Sequence, residues 1–210
     1  MSAAGLAQAP AGVVLAGGKS SRLGRDKARI LFGGKDLLAR TADVLRSVAD
    51  EVWVIGRDPA DHGLDLPWRL DDIPGKGPAG GIITALRALC RPCLVLSCDL
   101  PFLEPGHLLP LLEARSACAE PVIMTTWGQL ETQYIEALVA IYEPEALPVL
   151  EAAVARGEHK LSRIIPRERR CHVPYSQEQA LPFFNINYPA DLALMRKLEA
   201  QAVGQAGSAA

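Results

Sequence analysis

Val13-Val14-Leu15-Ala16-Gly17-Gly18-Lys19-Ser20-Ser21-Arg22-Leu23-Gly24-Arg25-Asp26-Lys27 decides the reading of this chain. An apolar run ends in two glycines and passes into a polar loop crowded with cations. The run is apolar on both faces and too short for a helix, which predicts a buried strand. The glycines let the backbone turn sharply and come close to a ligand. Backbone N–H groups and the side chains of Lys and Arg then suit a polyphosphate, which offers many acceptor oxygens and several negative charges. Open α/β sheets bind such ligands at the carboxyl ends of their strands. The stretch therefore predicts a nucleotide at the end of the first strand, beside a cationic arm of Lys19, Arg22, Arg25, Lys27 and Arg29.

Two other readings of the same residues compete. Gly18-Lys19-Ser20 could close a P-loop, but that motif needs glycine at position 13, where the chain has Val13, with Gly12 one place early. A strand and turn with solvated cations is the plain alternative, and it leaves the clustering behind a double glycine unexplained.

Beyond this loop, strand and helix patterns alternate. Strands are expected at Gly12–Ala16, Glu51–Ile55, Cys93–Ser97, Val122–Thr126 and Ile135–Tyr142. Helices are expected at Leu37–Val48, Pro78–Leu89, Pro105–Ala117, Pro144–Arg156 (closed by Gly157) and Asp191–Ala200. Phe183–Asn187 reads as a short strand or loop, and Pro166–Leu181 as a long surface excursion framing a site. This alternation is the pattern of an α/β domain, a mostly parallel sheet with helices on both faces. A length of 210 residues fits one large domain, expected over 11–200, between a flexible N-terminus (1–10) and a flexible tail (201–210).

Composition narrows the function classes. A formal net charge of −2 gives no global attraction to nucleic acid, so the local basic cluster points to a small anion. No apolar run reaches membrane-spanning length. The first ten residues carry no cationic leader, and five cysteines without a framework spacing favour a reducing cytoplasm.

Four further constellations carry chemistry. In Leu96-Ser97-Cys98-Asp99-Leu100-Pro101 a carboxylate ends a buried strand and can hold Mg²⁺ together with phosphate oxygens, or cap the turn that follows. Asp71-Asp72-Ile73-Pro74-Gly75-Lys76-Gly77-Pro78 opens a helix through glycine and proline, suited to a base or ribose or simply to a rigid loop. Asn185 and Asn187 share one face of an extended segment and can serve a metal or substrate, or cap the next helix. Cys90-x-x-Cys93 lacks the second pair a zinc site needs, and the four histidines form no ligand or triad spacing.

At these motifs the chain resembles the molybdenum cofactor guanylyltransferase family, which has a Rossmann-like nucleotidyltransferase fold. The family pattern L-A-G-G-x-x-x-R-M/L-G-x-D-K is similar to Leu15-Ala16-Gly17-Gly18 through Arg22-Leu23-Gly24 and Asp26-Lys27. D-x-x-x-x-G-P-x-x-G is met by Asp72 through Gly77-Pro78 and Gly81, C-D-x-P by Cys98 through Pro101, and F-x-N-x-N-x-P by Phe183 through Pro189. The resemblance implies transfer of GMP from GTP to molybdenum-molybdopterin with Mg²⁺ as cofactor. It implies nucleotide contacts from Leu15, Ala16, Gly17, Gly18, Lys27, Asp72, Gly77, Pro78 and Asp99, with Asp72 on the guanosine. It gives catalytic roles to Arg22, Lys27 and Asp99, with Asp99 holding the metal and Asn185 and Asn187 facing the pterin or metal. It also implies transient contacts with proteins that deliver or accept the cofactor. Cytidylyl-transferring relatives usually carry Ala-Ala-Gly where this chain has Ala16-Gly17-Gly18, which favours guanylyl transfer over a cytidylyl or sugar-phosphate alternative. Two positions depart from the family: Ile55-Gly56 where an Asn is frequent, and Ala79 where Leu is usual.

Overall fold

The computed structural model describes residues 8–18, 23–118 and 122–207. At its centre lies β1 (Ala11–Leu15), every residue of which is buried, as a strand covered on both faces requires. Beside it run β4 (Val52–Ile55) and β6 (Cys93–Ser97), both parallel to it. Adding β5 (Trp68–Arg69), β7 (Met124–Gln129), β8 (Ile135–Tyr142) and β9 (Arg170–Tyr175) gives a seven-stranded sheet among the described residues, in the order β5-β4-β1-β6-β8-β7-β9. Within this sheet only the pairings of β8, with β6 and with β7, are antiparallel. A small hairpin of β2 (Leu31–Phe32) and β3 (Lys35–Asp36) stands apart.

The period of two in β1 sorts its side chains between two cores. Val13 and Leu15 join α2 (Gly77–Leu89), α4 (Leu147–Ala155) and α5 (Leu161–Ile164) on one face. Val14 and Ala16 join α1 (Leu37–Arg46) and α3 (Leu109–Ala117) on the other. Asp36 caps α1, its carboxylate accepting from Ala39 N at 2.7 Å. A third cluster, Leu23, Ile30, Leu37, Ile186 and Met195, ties α6 (Pro189–Gly207) to the segment after β1. Among the described residues no helix is long and apolar enough to cross a membrane.

Several expectations need correction. Pro166–Leu181 is not only an excursion, because β9 lies within it and pairs with β7 from Arg170 to Tyr175. Its arginine, histidine and proline hide the strand pattern, and an edge strand tolerates them. The strand expected at Val122–Thr126 begins at Met124 and runs on to Gln129, where β9 supplies its partners. The helices expected from Pro105 and Pro144 open as 3-10 turns, Pro105–His107 and Pro144–Ala146, before α3 and α4 begin. Each of those two helices has a second proline in its own first turn, Pro110 or Pro148, which lacks an N–H that no helical bond needs there. Phe183 closes a 3-10 turn from Leu181, and Phe184–Tyr188 is loop.

Candidate active site

Lys27 sits at the start of a 3-10 turn, Lys27–Arg29, capped by Asp26, whose carboxylate accepts from Ala28 N at 3.1 Å. Its ammonium donates to Asp99 Oδ2 at 3.1 Å and to Asn187 Oδ1 at 2.6 Å. Ser97, the last residue of β6, donates its hydroxyl to the other oxygen of Asp99 at 2.6 Å. The Asp99 carbonyl accepts from Ile186 N at 3.0 Å, which fixes the loop carrying Asn187. Three segments far apart in sequence thus meet at one point. The side chains of Lys27 and Asp99 are only 18% and 13% exposed, so their attraction is screened less than that of a surface pair.

The cleft in front of this point has two lobes that share Leu15, Gly17 and Ser97. One lobe, about 120 Å³, is lined by Ala16, Gly18, Lys27 and Asp99. The other, about 50 Å³, is lined by Asp71, Gly77, Pro78 and Gly81. The structure places Asp71 rather than Asp72 in this cleft. Asp72 is exposed and accepts from Arg69 Nε at 3.0 Å. Burial, followed by the charge of Asp72, holds the Asp71 carboxyl above its ordinary pKa. The missed signal lies in the glycines: a Cβ at Gly17 would come within 3.0 Å of one Asp71 oxygen, and one at Gly81 within 3.3 Å of the other.

Arg57, just beyond β4, was also missed. Its Nε donates to the Ala16 carbonyl at 2.8 Å and its Nη1 to Asp26 at 2.6 Å, bridging the two ends of the glycine loop. Burial raises the Asp26 carboxyl, but the hydrogen bond and charge of Arg57 outweigh it and leave the pKa lowered. Gly56 has φ +104°, and a Cβ there would fall 2.4 Å from Gly17 N, so no side chain fits at this position.

The other expected site residues divide. Leu15, Ala16, Gly17, Gly18, Gly77 and Pro78 line the cleft, and Asn187 meets it through Lys27, from which its Oδ1 accepts. Asn185 Nδ2 donates instead to the Phe183 carbonyl at 3.0 Å. Arg22 and Lys19 lie outside the described residues. The Cys98 thiol is buried and pushed up to about 12, so it stays protonated and is no nucleophile. Among the described residues no three His, Cys, Asp or Glu side chains group as metal ligands.

The family model of the MobA-like NTP transferase domain matches residues 12–172. The chain belongs to this family. As a MobA-like NTP transferase it is a nucleotidyltransferase, and the matched span contains the glycine loop, Asp71 and Asp99 but ends before Asn187. A protein from Pelotomaculum thermopropionicum named probable molybdenum cofactor guanylyltransferase is 33% identical over 88% of this chain and 91% of its own length. Another of that name, from Opitutus terrae, is 34% identical over 88% and 94%. The crystal structure of molybdopterin-guanine dinucleotide biosynthesis protein A from Archaeoglobus fulgidus superposes with a TM-score of 0.70 at 25% identity, covering 90% of this chain and 98% of that one.

Proposed function

We propose that this protein transfers GMP from GTP to the terminal phosphate of molybdenum-molybdopterin, forming the guanine dinucleotide cofactor and releasing pyrophosphate. The observation that carries the reading is the convergence of Lys27, Asp99 and Asn187 at the mouth of a glycine-turned cleft. The names of its relatives from Pelotomaculum and Opitutus, probable molybdenum cofactor guanylyltransferase, support this choice of donor and acceptor.

The reaction joins two anions. An oxygen of the acceptor phosphate attacks the α-phosphorus of GTP in line, and the bond from that phosphorus to the bridging oxygen of pyrophosphate breaks. Lys27 and the backbone N–H groups of the glycine turn offset the charge on the transferring group, with Arg22 in the same cationic loop. Asp71 accepts from an N–H of the base or a hydroxyl of the ribose. The attacking phosphate is already largely ionised near neutral pH, so no general base is needed. Positioning and electrostatics therefore carry the rate enhancement.

The donor set fits magnesium. Asp99 and Asn187 offer hard oxygens that keep a lone pair each beyond their contacts with the Lys27 ammonium, so a cation beside Lys27 could share them. Mg²⁺ is commonly held by one or two carboxylates plus substrate phosphates, so a single Asp99 suffices. Bound there, it would screen the approach of the two phosphates.

Incubation with molybdenum-molybdopterin, Mg²⁺ and each of GTP, CTP, ATP and UTP tests the reading. The expected product is the guanine dinucleotide alone, identified by mass, with equimolar pyrophosphate. The Asp99→Asn variant should fold normally and turn over about a hundredfold or more slowly. An equal yield from CTP, or γ-phosphate loss without pyrophosphate, would overturn it.

A further inference from the structure

The turn between β7 and β8, together with β9 and the 3-10 turn Arg167–Arg169 before it, lines a cleft of about 270 Å³ that the centre at Asp99 does not use. Gln129 and Gln133 line it, with Arg167, Arg170 and His172. Arg170 is fixed: its Nε donates to the Ile165 carbonyl at 2.7 Å and one Nη to the Ser162 carbonyl at 2.8 Å. Neither Arg167 nor Arg170 has a carboxylate within ion-pair distance among the described residues. The His172 ring lies against Gly128, and its Nε2 is buried without a hydrogen-bond partner in the structure. Burial first, then Arg170 and Arg167, hold the imidazole below its ordinary pKa, which places both guanidiniums within electrostatic reach of the ring.

Arg170 is part-buried without a counter-ion among the described residues, which is unfavourable, and an anion in the cleft offsets its charge beside the exposed Arg167 and the His172 ring. Guanidiniums present planar, paired donors that suit oxyanions. One end of the cleft, at Gly128, Gln129 and Pro174, lies on the reactive side of the sheet, because β7 runs in the same direction as β6 and β9 runs with β7; Arg170 opens β9 at the other end. On β8, Ile135 lines this cleft and Leu138 lines the lobe holding Asp71. Three steps along the strand separate them by about 10 Å, the span of a fused-ring substrate rather than of a single ion.

We propose that this cleft is a second anion-binding subsite, in which Arg167, Arg170 and His172 receive an anionic group of the acceptor remote from the phosphate that reacts at Asp99. Its assignment to the acceptor rests on the function proposed above; its capacity to bind an anion does not.

Sulfate is the probe for the subsite, followed through the ring NMR signals of His172 in the full-length protein. Sulfate should shift those signals saturably in the wild type and leave them unmoved in Arg167→Ala, whose side chain is exposed and whose loss spares the core. In the same variant the KM for the acceptor should rise at least about tenfold, with Arg167→Lys recovering part of the loss and the Kd for GTP unchanged. Absence of any sulfate-induced shift in the wild type overturns the subsite. An unchanged acceptor KM in both Arg167→Ala and Arg167→Glu overturns its role toward the acceptor. Should the wild type make no dinucleotide from GTP and molybdenum-molybdopterin, the proposed function fails, while the sulfate titration still decides whether the subsite exists.

Discussion

Asp71 and Asp72 are adjacent carboxylates with opposite surroundings. Asp72 is exposed beside Arg69, whereas Asp71 is half-buried between Gly17 and Gly81 and pushed up by that burial. A raised pKa means that the folded state binds the proton more tightly than the unfolded chain. This group therefore favours folding below the ordinary carboxylate value of 3.8, and the advantage is lost as pH rises through the folded value. At neutral pH the ionised Asp71 costs stability, and a nucleoside N–H or hydroxyl is what would offset it. Asp71→Asn should thus raise the melting temperature at pH 7, with the gain vanishing below about pH 4, while weakening GTP binding. Thermal melts at the two pH values and a GTP titration check this. A variant with wild-type GTP affinity would remove Asp71 from the nucleotide site. The sequence made the acidic pair legible but not its facing member, because only the packing of two glycines against one side chain tells them apart.

The unit that matters above the residue is the seam between β1 and β4. Gly56 lets the end of β4 press on Gly17, and Arg57 then ties the Ala16 carbonyl to Asp26, which caps the turn bearing Lys27. Arg57→Ala strands a part-buried carboxylate and a carbonyl, at a cost of about 1–2 kcal/mol after allowance for solvent screening. It should also lower kcat and raise the KM for GTP together, since both ends of the loop lose one anchor. Arg57→Lys cannot span two acceptors and should rescue little. A stability loss with unaltered kinetics would make Arg57 merely structural. At this scale β6 and β8 were readable to the residue, because strands buried in the sheet show long apolar runs. β9 was not, since an edge strand with Arg170, His172 and Pro174 carries no such signal. Arg57 escaped for a related reason: nothing local marks an arginine whose partners lie 31 and 41 residues away.

Across the whole molecule, the centre is assembled by contacts spanning 72 and 160 residues, from Lys27 to Asp99 and to Asn187. The meeting of Lys27 and Asp99 was legible in the sequence, since both follow neighbouring parallel strands, but the arrival of Asn187 between Asn185 and Pro189 was legible only as a motif, because its contact with Lys27 depends on how the chain after β9 returns. That return is secured by apolar packing. Ile186 and Met195 are fully buried with Leu23 and Ile30, which flank the segment carrying Lys27. The Asp191 carboxylate then accepts from the backbone N–H groups of Asn187 and Tyr188, both at 2.8 Å. α6 therefore acts as a clamp, and its packing should be felt in turnover as well as in stability. Met195→Ala should cost about 2–4 kcal/mol in urea denaturation and reduce kcat well below the melting temperature, because Asn187 and Lys27 lose a common backing. Leu111→Ala is the control: Leu111 is equally buried, but in the core between α3 and the sheet. It should cost a similar amount while sparing kcat. Equal kinetic losses in the two variants would mean that turnover follows global stability; a loss confined to Met195→Ala would assign the clamp to catalysis.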